Sequence, residues 1–219
     1  MKKLIFILSF LPLAFIFGSW SGTGSKKGSA VVPSGMTSET PAAASGAAAP
    51  AEKKYGIKSG IVTFESTSMG MTFKAVLNFD DYGSREAEER YGFDNKVSEM
   101  TICDGTNRYS LVYKTKTAIK KGACNSGTAY RFDWNEASKA GPEYKVQKLA
   151  NVKIAGKDCE SFSLVSSGNT IVYAGWNNIC LLIDQNTQLG KVTYKAVSIE
   201  ENATIPPEKF KVPADFQVK

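Results

Sequence analysis

From Tyr55 onward, short apolar runs alternate with clusters of Gly, Asn, Asp and Ser, the punctuation of a mostly-β domain. The clearest run is Met69–Phe79. Met69, Met71, Phe73, Ala75, Leu77 and Phe79 fall on one face, and Gly70, Thr72, Lys74, Val76 and Asn78 on the other. Alternation of that length predicts a half-buried strand in a sheet with one packed and one wet face. Ile57–Glu65 is its expected hairpin partner. Val97–Cys103 and Arg108–Lys114 flank a turn with Asp-Gly chemistry at Asp104-Gly105. Tyr109, Leu111 and Tyr113 share one face of the second strand. Asp158–Val165 pairs with Thr170–Trp176, and Ile179–Asp184 with Lys191–Glu200. Asp133–Ala140 reads as the one helix, with Asp133 as N-cap and Glu136 three residues later. Asp80–Tyr91 reads as a turn or short helical piece. There acids interleave with Arg85 and Arg90 as on a solvated loop.

The N-terminus follows a different pattern. After Met1-Lys2-Lys3, Leu4–Phe17 is apolar apart from Ser9 and Pro12, a run of 14 residues. It suits the apolar segment of an export signal and is short for a membrane span. Ser19 and Ser21 supply small residues for a cleavage site, so residues 1–21 are expected to be the signal. Residues 22–54 are rich in Gly, Ser, Ala and Pro, with too few large apolar groups to offset the entropy of ordering. They are expected to be a flexible tether, leaving residues 55–219 as the domain.

Charge narrows the functions open to it. The formal net charge is +6, but residues 1–54 carry six Lys against two acids, leaving +2 for the other 165 residues. A nucleic-acid binder needs a basic face within the domain. The only candidate, Lys114–Lys121, reads as a solvated strand or edge loop, where Lys guards against edge-to-edge pairing. The sequence contains no His, which removes Ser-His and Cys-His nucleophile pairs and His-ligated zinc. The acids Asp80, Asp81, Glu86, Glu88 and Glu89 could pair as acid and base, but their interleaved arginines favour a non-enzymatic reading. No cofactor and no metal is expected.

The cysteines are Cys103, Cys124, Cys159 and Cys180. An even number in an exported chain predicts two disulfides. Three connectivities are open, and local closure favours Cys103–Cys124 with Cys159–Cys180.

Two resemblances add to this. The N-terminal layout resembles a bacterial lipoprotein precursor, in which a lipobox ends in an acylated Cys. Here Phe15-Ile16-Phe17-Gly18-Ser19-Trp20-Ser21 places Trp20 where that Cys would stand, and an indole cannot be thioether-acylated. The segments Val152–Phe162, Trp176–Leu181 and Ile205–Phe216 resemble Bacteroides-type envelope lipoproteins related to the LolA/LolB carriers. That resemblance implies a strongly curved antiparallel sheet, a half-barrel with one or two short helices. Its concave face would hold apolar chains or a covering helix.

The expected function is therefore a non-enzymatic binding module exported to the periplasm or outer membrane of a Gram-negative bacterium. Its expected partners are lipid or another apolar ligand and envelope proteins, not nucleic acid. Membrane association is expected only through the N-terminal segment. Met69, Met71, Phe73, Leu77, Phe79, Tyr109, Leu111 and Tyr113 are the candidate ligand-binding residues, because Met and aromatic side chains make adaptable apolar surfaces. The alternative is a structural or protein-interaction domain in which these residues are core.

Overall fold

The computed structural model describes residues 53–68, 70–124, 130–139, 144–166, 169–187 and 190–219. The predicted signal and all but the last two residues of the predicted tether lie outside the described residues. Among the described residues, twelve strands run in chain order. They are β1 (Gly60–Ser68), β2 (Met71–Asp80), β3 (Arg85–Tyr91), β4 (Val97–Cys103), β5 (Asn107–Val112), β6 (Thr117–Ala123), β7 (Lys145–Ile154), β8 (Lys157–Ser166), β9 (Asn169–Trp176), β10 (Ile179–Thr187), β11 (Gly190–Glu201) and β12 (Gln217–Val218). One helical turn, α1 (Trp134–Ala137), separates β6 from β7.

The strands form one sheet in the order β12-β6-β5-β4-β3-β2-β1-β11-β10-β9-β8-β7. Every pairing is antiparallel except that of the short β12 on β6. The sheet is strongly curved, since β7 touches β11 although three strands lie between them. It is also open, with β12 and β7 as separate edges. Register shifts in β1–β11, β9–β10, β3–β4, β5–β6 and β7–β8 supply local bends of the kind that let a sheet curl.

Turn chemistry fixes the hairpins. The Asp104 carboxylate accepts the backbone N–H groups of Thr106 (2.8 Å) and Asn107 (2.7 Å). Asn177 and Asn178 both take positive φ between β9 and β10, the conformation a tight two-residue hairpin demands.

Apolar side chains cover both faces. Residues paired across β1 and β2 point the same way, so Val62, Phe64, Ala75, Leu77 and Phe79 build one core with Tyr55, Tyr130, Leu181 and Ala196. It continues under the segment carrying α1, where Phe132 and Ala137 pack on Phe162, Leu164, Ile171 and Tyr173. On the other face, Ala87, Met100, Ile102, Leu111 and Ala118 are covered by the C-terminal segment through Ala203, Ile205, Phe210 and Phe216.

Several expectations need correction. The acid-rich Asp81–Arg90 stretch is not a solvated loop. After a 3-10 turn at Asp81–Gly83 it becomes β3, in the interior of the sheet between β2 and β4. Its Glu86, Glu88 and Glu89 are buried because each finds a cation there, which local charge density does not reveal. The helix expected over Asp133–Ala140 is confined to Trp134–Ala137, with Ala140 outside the described residues. Of the two expected disulfides, Cys103–Cys124 is present, with Cα atoms 5.3 Å apart. Cys124 lies just past β6 and bends over the β4–β5 turn, donating its N–H to the Thr106 carbonyl (3.0 Å).

Cys159 and Cys180 do not form the second disulfide; both are free and buried. They sit within β8 and β10, with β9 between them. Two strand spacings are roughly 9.5 Å, beyond the ~7 Å Cα separation a disulfide can bridge. The two thiols also belong to different apolar clusters.

Candidate binding cleft on the concave face

β3 carries charge into the core. Its register with β2 sets Glu86 beside Phe79, Glu88 beside Leu77 and Arg90 beside Ala75, while Glu89 stands beside Val76 on the opposite face. Glu86, Glu88 and Glu89 are all buried, so each carboxylate must be paired or lose its hydration uncompensated. Glu86 accepts the Tyr55 hydroxyl and pairs with Lys54 (2.9 Å). Glu88 accepts Nε of Arg90 (2.7 Å). Glu89 accepts Lys209 (2.7 Å), which ties the C-terminal segment to the sheet.

Burial, reinforced by the Glu86 charge, pushes the Tyr55 phenol well above its ordinary range. Burial and Glu88 do the same for Tyr130. Burial pulls the Lys54 ammonium down, with Glu86 opposing. Glu88 holds Arg90 firmly protonated.

Next to the Glu88–Arg90 pair lies a cleft of about 260 Å³. Its lining draws on six strands that are consecutive in the sheet, β4-β3-β2-β1-β11-β10. Strands so far apart meet around one space only on the concave side of a curled sheet. Phe73, Phe93, Ile183 and Val192 form apolar walls. Tyr130 and Tyr194 also line it, their hydroxyls 2.6 Å apart, and Phe64 stacks on Tyr194 (4.7 Å between ring centres). Phe93 packs on Phe73 (4.9 Å) yet remains 77% exposed at the rim. A more polar hollow of about 370 Å³ lies between Arg85, Asp104 and the C-terminal residues Pro207, Phe210 and Lys211. Its Arg85 is already paired with Asp80.

The eight expected ligand residues are not brought together. Phe73 lines the cleft, Met71 is half-buried near it in β2, and Met69 lies outside the described residues. Leu77 and Phe79 are sealed core. Tyr109 and Leu111 pair with Ile102 and Met100 and so face the C-terminal segment. Tyr113 does the same, meeting Phe216 at 5.2 Å. Alternation shows which residues of one strand share a face, but relating faces between strands requires the register. Reading β3 as a loop removes that relation between β2 and β5. The cleft residues beyond the reach of sequence reasoning are Arg90, Phe93, Tyr130, Ile183, Val192 and Tyr194. No motif marks them, because they converge only through folding.

No family model matches the sequence, and no curated protein matches it. Solved structures with a similar fold exist. An uncharacterized conserved protein from Thermus thermophilus aligns at TM-score 0.50 and 12% identity, covering 74% of this chain and 90% of that one. The MucA/MucB complex of Pseudomonas aeruginosa aligns at TM-score 0.51 and 12% identity, covering 74% of this chain. This chain spans 58% of that MucB-complex chain. The LolA superfamily protein NE2245 from Nitrosomonas europaea aligns more loosely, at TM-score 0.34 and 10% identity, covering 73% and 93% of the two chains. At such identities the likeness concerns the fold.

Proposed function

We propose that this chain is an exported, non-enzymatic cell-envelope binding module that holds lipid or another apolar ligand in the concave cleft. The observation that carries the reading is the cleft itself. Phe73, Phe93, Ile183 and Val192 wall about 260 Å³ of space that the described side chains leave open. Binding sites are typically concave and mostly apolar, with a few placed polar groups. Binding is favoured over catalysis because the sequence has no His and the three buried carboxylates are each engaged by a cation.

In this reading residues 1–21 direct export, residues 22–54 give reach, and membrane association runs through the N-terminal segment alone. It extends to the Bacteroides-type LolA/LolB-like lipoproteins that the second half of the domain resembles. The test is lipid extraction and mass spectrometry of the full chain purified from a Gram-negative envelope, beside a Phe73→Asp variant. Phe73 is half-buried, so the variant is expected to fold while its cleft no longer accepts an apolar group. Co-purifying lipid in the wild type and none in the variant supports the reading. No lipid in either, with no uptake of added fluorescent fatty acid, rejects it.

The second reading is a protein-interaction domain. It is favoured by the presence of a MucA/MucB complex among the similar folds. It predicts an envelope protein, rather than a lipid, cross-linked to the cleft in cells.

A further inference from the structure

Resting on the apolar-binding reading above, we infer that the cleft selects apolar chains that end in a single carboxylate, and that Arg90 holds the carboxylate. Arg90 lines the cleft, and its side chain is 41% exposed, whereas that of its partner Glu88 is 10% exposed. The pairing engages one edge of the guanidinium, since Nε donates to Glu88. Among the described residues the two terminal amino groups make no hydrogen bond to protein. A guanidinium presents its donors as a rigid planar fork that matches a carboxylate.

Glu88 sets the orientation of that fork. It is buried and it grips Nε. The buried Glu88 thus gives the cation a fixed support before any ligand arrives, and the Tyr130 and Tyr194 hydroxyls, bonded to each other, line the same cleft. The apolar walls at Phe73, Ile183 and Val192 adjoin this point, which places a tail against them once the head is held.

The local charge balance decides which anion fits. Glu88 pairs with Arg90, and Glu99 lies directly opposite it on β4 and also lines the cleft. Lys74, at the rim over the Tyr91 ring (5.0 Å), is the other lining cation. With two acids and two cations around it among the described residues, the site has no surplus positive charge for a doubly charged phosphate. A monoanion that uses the free edge of the fork is the better match. The cleft is also smaller than the ~300–1,000 Å³ of sites that enclose whole drug-sized ligands. It therefore takes one chain end, with the rest leaving at the open mouth beside Phe93.

The test is a fluorescence titration of the full chain with cis-parinaric acid and with its methyl ester. Dodecanoate and dodecyl phosphate serve as competitors. The inference predicts that the acid binds at least tenfold tighter than the ester and that dodecanoate displaces it at lower concentration than dodecyl phosphate. In the paired variant Glu88→Gln/Arg90→Gln, which leaves no buried charge unpaired, acid and ester should bind alike. Equal binding of acid and ester by the wild type overturns the headgroup inference and leaves apolar binding standing. A preference for the acid that survives in the paired variant removes Arg90 from the role. Tighter competition by the phosphate overturns the choice of a monoanion. If neither probe binds, the apolar-binding reading itself fails.

Discussion

The cysteines offer a sharp quantitative test of the fold, because the two pairs have equal sequence spacing but opposite fates. The perturbation is reduction, or the double substitution Cys103→Ser/Cys124→Ser. The link closes a loop of sequence separation 21, for which chain-entropy arguments give about 3 kcal/mol of stabilisation. For a domain of this size each kcal/mol shifts the melting temperature by roughly 2–4 °C, so the expected loss is about 6–12 °C. Cys159 and Cys180 add no cross-link. Burial also pushes the Cys180 thiol up to about 12 and raises that of Cys159, so neither is reactive in the folded state. The assay is alkylation and mass spectrometry of protein recovered from an oxidising compartment. The folded protein should take no label, the unfolded unreduced protein two, and the reduced unfolded protein four. A melting temperature that ignores reductant would contradict the stabilising Cys103–Cys124 link, and an unfolded unreduced chain with no free thiol would refute the strand order that separates Cys159 from Cys180.

Three further outcomes follow from the packing. Leu77 is 1% exposed and stands beside Glu88. Leu77→Glu therefore buries a second, unpaired carboxylate at a cost of several kcal/mol, and its circular dichroism melt should lose cooperativity; an unchanged melt would place Leu77 outside the core. A Cβ on Gly175 would lie 2.1 Å from Cγ of Phe132, so Gly175→Val should expel Phe132 and expose residues 130–137 to limited proteolysis; unaltered protease resistance would contradict that contact. The Tyr55 and Tyr130 phenols are raised by burial, so stability is intact below pH ~10 and falls as pH rises further, because the unfolded chain ionises where the folded one cannot; absorbance at 295 nm should show these phenols titrating only with unfolding, and smooth titration of all nine tyrosines near pH 10 in a folded protein would refute it.

Alternation and turn chemistry make much of the fold legible. The stripe Ala75, Leu77, Phe79 is core as its spacing implies, and Asp104-Gly105 makes the turn its residues predict. β3 is hidden because Arg85-Glu-Ala-Glu-Glu-Arg90 looks solvated until Lys54, Tyr55 and Lys209 supply partners from 31 to 120 residues away. The cleft is hidden for a related reason. Phe73 is visible in its strand, but Arg90, Tyr130, Ile183 and Tyr194 meet it only when six strands are set in register and curled. Sequence periodicity is local information, and a site assembled across that many strands is not local.

The central claim, that the concave cleft is a binding site, is tested most directly by photo-cross-linking the full chain with a diazirine-tagged fatty acid and mapping the labelled peptides. Label is expected on Phe73–Ala75, on Arg90–Phe93 and on the Ile183–Tyr194 hairpin, competed away by untagged fatty acid. Absence of competed label, or label confined to the C-terminal segment around Phe210 and Phe216, would contradict it.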